Sequence, residues 1–384
     1  MKKNKIGVVI VAGGLSSRMK AFKPLLTIGN KTMIETTIEN YMFLGATEIV
    51  VVTGYRENDI KEKLKNYKIS FVKNENYEST QMFDSVCIGL GNLKEKVDMV
   101  FISPSDSPFV QNFTLKSMIK EMEITDELSF NIIQPNYAGK KGHPILLRQE
   151  AISGILGYDG TMGLQGAIAK MNSSCKNIAF VDPGIIMDAD IKNDFLKLIE
   201  YNENKNCPSY ELCEEIQNYF QLPEEVKLHS NKVLEVAVNF CDSLYEKGIL
   251  LNRKNVIAAS LLHDIAKGMT KHADVGAKWL LDMGYEEVSK IVAEHMELNT
   301  ISEVPTEKEV VYLADKLVKA NNVVTIQQRF AYKEELYKNN KTAMEAIKKR
   351  KAQALYISNM IFELCKVNKF NVDNSIEINL NLIS

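Results

Sequence analysis

The hydrophobic pattern changes character near residue 200, and that change constrains the fold more than any other feature of the chain. Before it, short β-branched runs alternate with amphipathic stretches: Ile6 to Ala12, Glu48 to Thr53, Ile69 to Val72, Met99 to Ser103 and Ile178 to Val181. This rhythm predicts βαβ units on a mostly parallel sheet, an α/β domain over residues 1–200. Between the first two runs, Ile34, Ile38, Tyr41 and Met42 recur near helical spacing and Gly45 supplies a stop, which predicts a crossover helix over 33–44. Residues 201–208, polar, Asn-rich and ending in Pro208, read as a linker. Beyond them strand signals almost vanish. Asn231 to Tyr245, for example, sets Val233, Leu234, Ala237, Val238 and Cys241 on one face, so residues from about 209 to 365 are predicted to be successive helices of an all-α second domain, 209–384. The tail, 369–384, alternates loosely and reads as an edge strand or an extended arm.

A chain of 384 residues has room for two or three domains at about 100–200 residues each. Lys and Arg total 47 against 49 Asp and Glu, so the formal charge of −2 gives no global attraction for nucleic acid or anionic membranes. Anion binding must therefore be local. The six cysteines lie far apart without a CxxC pair, the pattern of reduced thiols in the cytoplasm. The basic start followed by Ile6 to Ala12 imitates a secretory leader, but Gly13, Gly14, Arg18, Lys20 and Lys23 break the imitation and a buried first strand fits better. No apolar run approaches the roughly 20 residues of a membrane span.

That first strand runs into Ala12-Gly13-Gly14-Leu15-Ser16-Ser17-Arg18-Met19. Glycines let backbone N–H groups approach a triphosphate, Ser16 and Ser17 add donors, and Arg18 and Lys23 supply positive charge. Neither GxxxxGK[ST] nor GxGxxG is present, which argues against a P-loop ATPase and a dinucleotide-binding fingerprint. With Lys23-Pro24-Leu25-Leu26 following, the segment resembles the signature of the nucleotidyltransferase superfamily that includes molybdenum cofactor guanylyl- and cytidylyltransferases. Asp84-Ser85-Val86, Ser105-Asp106-Ser107-Pro108-Phe109, Gly142-His143-Pro144, Asp159-Gly160 and Asp188-Ala189-Asp190 ahead of Asp194 recur in the family's order. Gly-His-Pro and the Asp-x-Asp look more like the cytidylyl branch.

The resemblance implies a Rossmann-like nucleotidyltransferase domain that transfers a nucleotidyl group from an NTP, CTP favoured, to a phosphorylated acceptor such as molybdopterin, releasing pyrophosphate. Ala12, Gly13, Gly14, Leu15, Ser16 and Ser85 would hold the nucleotide, Arg18 and Lys23 the growing charge, and His143 would shape the acceptor pocket. Asp106 follows an apolar run and should emerge at the carboxyl end of a strand, where it can hold Mg²⁺ together with Asp188 or Asp190. Two departures touch substrate contacts: Lys20 follows Arg-Met where the family commonly has Gly, and Thr80-Gln81-Met82 lacks a glycine often found there.

Four of the five histidines, His229, His263, His272 and His295, crowd into one short stretch, with Asp264 beside His263 and Asp315 downstream. Imidazoles and carboxylates suit Mn²⁺, Fe²⁺ or Zn²⁺, which lower the pKa of a bound water. The order resembles the HD-domain phosphohydrolase pattern in its two-metal version. By that resemblance His229, His263, Asp264 and Asp315 hold a first ion, His272 and His295 complete a second site with Asp264 bridging, and Lys267 contacts substrate phosphate. The basic run Lys348-Lys349-Arg350-Lys351 lacks interleaved aromatics and reads as a solvated helix face rather than a nucleic-acid patch.

The favoured reading is thus a bifunctional cytoplasmic enzyme whose partners are an NTP, a phosphorylated small molecule and, by the resemblance, a molybdenum hydroxylase client. A sugar- or polyol-phosphate acceptor is the enzymatic rival, and a nucleotide-sensing regulator the rival of another class. Oligomeric state is not written in these residues.

Overall fold

The computed structural model describes residues 4–15, 19, 21–124 and 130–365, which divide into two compact units, Met1–Asn204 and Lys205–Ser384. Ser16, Ser17, Arg18 and Lys20, and the tail read as a strand or arm, lie outside the described residues.

The first unit is built on a sheet whose order is Cys175–Ala179, Ile132–Tyr137, Ile145–Arg148, Met99–Pro104, Ile6–Val11, Glu48–Thr53, Ser70–Lys73, with Lys140–Lys141 pairing alongside Ile132–Tyr137. The central strand Ile6–Val11 pairs in parallel on both sides, Val9 opposite Val50 and Ile102. Val8, Val9 and Ile10 are fully buried, as a strand covered on both faces requires. Ile145–Arg148 runs antiparallel to both neighbours, so the sheet is mixed but mostly parallel. The last predicted strand is displaced: it spans Cys175–Ala179 rather than 178–181, because its register is set by backbone pairing with Ile132–Tyr137 and not by its most apolar stretch.

The crossover helix is Met33–Leu44, closed at its start by a capping box between Thr32 and Glu35 and at its end by Gly45 at φ 89°. Helix Met82–Leu93 seats Phe83, Val86 and Leu90 on Val9, Val50, Val52 and Ile102. Burying each such side chain is worth roughly 1.5–3 kcal/mol. Because the parallel strands share a direction, the turns after Val11 and Pro104 meet at one edge, where the Ala12 N–H donates to the Val52 carbonyl (2.9 Å) and the Ser105 N–H to the Val11 carbonyl (3.1 Å).

Helix Lys192–Asn204 runs four residues into the stretch read as linker, since Leu198 packs beside Phe109 and carries the helix onward. The second unit is helical, from Tyr210–Tyr219 through Lys341–Cys365, with one hairpin of two-residue strands, Val318–Lys319 and Asn322–Val323. Its longest predicted helix lies within Glu224–Tyr245. Trp279 stacks on Phe220 with centroids 4.2 Å apart and planes 2° from parallel. Among the described residues no helix is long and apolar enough to cross a membrane.

Candidate active sites

At the carboxyl edge of the first unit's parallel strands lies a cavity of about 310 Å³ whose wall includes Ala12, Gly13, Gly14, Lys23, Ser85, Asp106, His143, Asp188 and Asp190. The sequence motifs are therefore neighbours in space. Leu15, read with the phosphate loop, is 48% exposed and is not among the residues lining it. Lys23 sits at the centre of the acidic group: its Nζ lies 2.6 Å from Asp190 Oδ1 and 3.3 Å from Asp106 Oδ2. Desolvation works against its charge, but the pairing with Asp190 and Asp106 wins and raises its pKa. Desolvation on the cavity wall, with the like charges of Asp106 and Asp190, pushes the Asp188 carboxyl up to about 6, although the residue still reaches solvent. Among the described residues the carboxylates of Asp106, Asp188 and Asp190 gather on this wall beside the Lys23 ammonium, an oxygen-rich setting of the kind that holds a cation.

A second cavity, about 460 Å³, shares Met82, His143 and Asp188 with the first and is otherwise lined by residues such as Gln134, Lys140, Lys141 and Gln165. Desolvation lowers the His143 pKa against the opposing pull of Asp106, and its buried Nδ1 has no hydrogen-bond partner among the described residues. Gly142 is required here: a Cβ would run into the Ile185 carbonyl, to which the His143 N–H donates at 2.9 Å.

Sequence reasoning missed Asn74, a buried side chain that donates to Ser85 Oγ (3.0 Å) and Thr80 Oγ1 (2.9 Å) and lines the first cavity. It also missed Lys140 and Lys141, whose only signal was their proximity to Gly142-His143-Pro144. Asp84 instead caps its helix, accepting from the Gln81 N–H at 2.8 Å, and Asp159 accepts from the Thr161 N–H at 2.9 Å. Asp194 closes the turn at Ile191.

In the second unit the predicted ligands converge from five helices, Glu224–Tyr245, Arg253–Leu262, His272–Asp282, Glu286–Glu294 and Glu307–Lys316, or from the residues directly after them. His229 Nε2 is 3.1 Å from Asp315 Oδ1, and His263 Nε2 is 3.5 Å from Asp264 Oδ2 and 3.9 Å from Asp315 Oδ1. On the other side Asp264 Oδ1 is 3.2 Å from His272 Nε2 and 3.6 Å from His295 Nε2. Two triads result, His229 with His263 and Asp264, and Asp264 with His272 and His295, each with ligand atoms within 4.8 Å of one another. Ligands about 2.0–2.1 Å from a shared ion stand roughly 3.4 Å apart at tetrahedral angles, so the spacing fits.

The tautomers are fixed from behind. Nδ1 of His229, His263 and His295 lies 2.8, 2.8 and 2.7 Å from the carbonyls of Ala320, Ser260 and Val292, which directs each Nε2 lone pair into the cluster. His263 Nε2 is buried with no hydrogen-bond partner among the described residues, an orphan that an ion would satisfy. Burial would raise the Asp264 pKa, yet His263, His272 and His295 around it hold it well below the carboxylate range. Lys267 Nζ rests on Asp264 Oδ2 at 2.7 Å, and Lys316 Nζ on Asp315 Oδ2 at 2.6 Å. The run 348–351 is not simply a solvated face: Lys349 and Arg350 pair with Glu297, and Arg350 also lines the cavity beside the cluster, because a helix packed against three others, Glu224–Tyr245, Glu307–Lys316 and Ile326–Leu336, exposes less than its charge count implies.

Residues 8–175 match the model of the MobA-like NTP transferase domain and residues 226–320 that of the HD domain. Molybdenum cofactor cytidylyltransferase of Escherichia coli (strain K12) is 26% identical over 192 residues, 50% of this chain and 94% of that protein. Bifunctional protein GlmU of Staphylococcus haemolyticus (strain JCSC1435) is 29% identical over 121 residues, 30% of this chain and only 26% of that protein. Among solved structures, a nucleotidyl transferase from Methanothermobacter thermautotroptrophicus is 20% identical with a TM-score of 0.46, covering 53% of this chain and 99% of that one. The chain joins a MobA-like NTP transferase domain, residues 8–175, to an HD domain, residues 226–320, and is an enzyme of the nucleotidyltransferase type.

Proposed function

We propose that the first domain transfers a nucleotidyl group, CTP being the favoured donor, to a phosphorylated acceptor of the molybdopterin type, and that the HD domain hydrolyses a phosphate ester. The observation that carries the first half is the pair of adjoining cavities. One has a glycine loop, Lys23 and acidic groups suited to a metal triphosphate; the other has Lys140 and Lys141 suited to an anionic acceptor; His143 and Asp188 line both. An acceptor phosphate oxygen attacking the α-phosphorus across that shared wall would form the new P–O bond as the α–β bond breaks and pyrophosphate leaves. Mg²⁺, when bound, supplies charge neutralisation on the reacting phosphates. Asp106 with Asp188 would hold it, Lys23 would steady the carboxylates and the departing phosphates, and Ser16 and Arg18, which follow Gly14 in the sequence, would add a donor and a positive charge. The likeness to a molybdenum cofactor cytidylyltransferase over 94% of that protein supports the choice of acceptor and base.

In the HD domain, His229, His263, Asp264 and Asp315 would hold one ion and His272 and His295 a second, with Asp264 between them. When bound, these ions supply an activated water and polarise the phosphorus. Lys267 is free to move from Asp264 to the substrate phosphate once an ion takes up the carboxylate's charge.

The test is pyrophosphate release from each of the four NTPs with Mg²⁺ and molybdopterin, run beside sugar and polyol phosphates. CTP with molybdopterin is expected to be fastest; release only with a sugar phosphate would replace the acceptor, and release with none would remove the transferase reading. A pure nucleotide sensor would keep its output in Asp106→Ala, whereas the enzyme loses transfer.

A further inference from the structure

The cavity beside the histidine cluster carries more positive charge than one phosphate group answers. It measures about 220 Å³, and beyond the cluster's own ligands its wall holds Lys267, Lys316, Arg329, Lys333 and Arg350. Two of these are committed to the cluster: Lys267 pairs with Asp264, and Lys316 with Asp315 and, at 2.8 Å, the His295 carbonyl. The other three come from helices Ile326–Leu336 and Lys341–Cys365, downstream of the stretch that matches the HD domain. Arg329 and Lys333 are one turn apart on the first of these helices, so they share a face. Arg350 is held against the site through Glu297 (3.1 Å from its Nε) and through the Tyr312 hydroxyl, which donates to its carbonyl at 2.8 Å.

Arg350 has Glu297 as a partner, but Arg329 and Lys333 are poorly neutralised. Among the described residues Arg329 pairs with Asp315 alone, at 3.5 Å, and that carboxylate is already shared with His229 and Lys316. Lys333 makes no hydrogen bond or ion pair with any described residue. Although it is exposed overall, desolvation of its ammonium and the charges of Arg329, Lys316 and Arg350 lower its pKa against the opposing pull of Asp315, the mark of cations that outnumber the anion among them. Ions at the cluster would add positive charge and draw Asp264 and Asp315 to themselves. A simple phosphomonoester would be answered by those ions and Lys267, leaving Arg329, Lys333 and Arg350 facing empty space.

Resting on the hydrolase reading, we propose that Arg329, Lys333 and Arg350 form a second anion subsite, so that the HD domain's substrate carries another phosphate beside the one it loses. The substrate class is a diphosphate or longer phosphate chain. The cavity is smaller than the roughly 300–1,000 Å³ of pockets that engulf a whole small molecule, so it takes the phosphate end and leaves the remainder outside. Inorganic pyrophosphate, which the proposed transfer releases, is the smallest member of the class. Its hydrolysis is balanced by one water: the water oxygen bonds to one phosphorus, the bridging P–O bond breaks, and two phosphates leave.

The test compares the full-length wild type with Lys333→Gln, loaded with Mn²⁺, on inorganic pyrophosphate and on p-nitrophenyl phosphate. The ratio of kcat/KM for pyrophosphate to that for p-nitrophenyl phosphate is expected to fall about 10-fold or more, the scale of one lost charge-assisted contact. Lys338→Gln, an exposed neighbour paired with Glu335, should leave the ratio unchanged. An unchanged ratio in Lys333→Gln overturns the subsite. If the wild type cleaves neither compound, the hydrolase reading fails, and calorimetric binding decides the subsite separately. In a Lys23→Ala, Asp106→Ala background, pyrophosphate affinity should drop about 10-fold on adding Lys333→Gln; equal affinities overturn it.

Discussion

Loading the histidine cluster with a divalent ion should stabilise the second unit specifically, and the chain provides its own reporter. Trp279 is the one tryptophan of the sequence. It lies on helix His272–Asp282, whose first residue is a predicted ligand, and stacks on Phe220. Its fluorescence therefore follows the unfolding of the unit Lys205–Ser384 and not that of the first. An ion that binds only the folded state adds RT ln(1 + [M]/Kd), about 2.7 kcal/mol at 100 times Kd. For a unit of this size each kcal/mol moves Tm by roughly 2–4 °C, so the Trp279 transition should rise by about 5–11 °C on adding Mn²⁺, Fe²⁺ or Zn²⁺ to chelator-stripped protein. Asp264 belongs to both triads, so Asp264→Ala should abolish the shift, whereas His272→Ala should lower the bound metal by one ion in native mass spectrometry and keep part of the shift. The reasoning is refuted if none of the three ions moves the transition, or if Asp264→Ala responds as the wild type does.

Three further outcomes follow from the first unit. Lys23→Ala leaves Asp106 and Asp190 without their shared ammonium and should cost on the order of 10²-fold or more in kcat for pyrophosphate release, with the Trp279 metal response unaltered. Gly142→Ala drives a Cβ into the Ile185 carbonyl and should destabilise the first unit by about 1–3 kcal/mol in urea unfolding while raising the acceptor KM. Asp182 is buried beneath the N–H groups of Gln111 and Gly184 and the Thr114 hydroxyl, and burial outweighs those donors to push its pKa up to about 6. A carboxyl raised in the folded state contributes stability that is present below its unfolded pKa of about 3.8 and is lost as pH rises through about 6. Denaturation between pH 4 and 7 should show that decline in the wild type relative to Asp182→Asn, and parallel curves would contradict it.

What could be read from the sequence was what local periodicity and rare residue types encode. Glu48–Thr53 and Met33–Leu44 are strongly periodic and carry their own stops, so they fold as the pattern predicts. Histidines are scarce enough that four close together in order point to one place before any coordinates are known. Ile132–Tyr137 and Ile145–Arg148 left no clear signal, since one contains Pro135 and the other spans four residues; the sheet makes them strands by pairing. Asp84 sat inside a family motif and serves as a helix cap, because an acidic residue in a first helical turn finds a free N–H nearby whether or not it meets a ligand. Arg329 and Lys333 went unnoticed, and Arg350 was read only as part of a solvated face, for the opposite reason: periodicity tells which face a residue occupies but not what the neighbouring helix brings to meet it.

The donor chemistry of the two centres leads to one last prediction. The first groups the carboxylates of Asp106, Asp188 and Asp190 with one histidine, His143, on its wall, and among the described residues only the second brings three ligating side chains within 4.8 Å of one another. Mg²⁺ favours few carboxylates, retained waters and substrate phosphates, so a loose acidic wall suits it, whereas imidazole Nε2 groups fixed from behind favour Mn²⁺, Fe²⁺ or Zn²⁺. The chain should therefore load a different kind of ion at each site. Protein stripped of transition metals and supplied with Mg²⁺ alone should transfer nucleotide at its full rate and hydrolyse phosphate esters at no more than about one hundredth of the Mn²⁺-loaded rate, a difference of about 2.7 kcal/mol or more. Equal hydrolysis with Mg²⁺ alone would mean that the histidines do not ligate the catalytic ion.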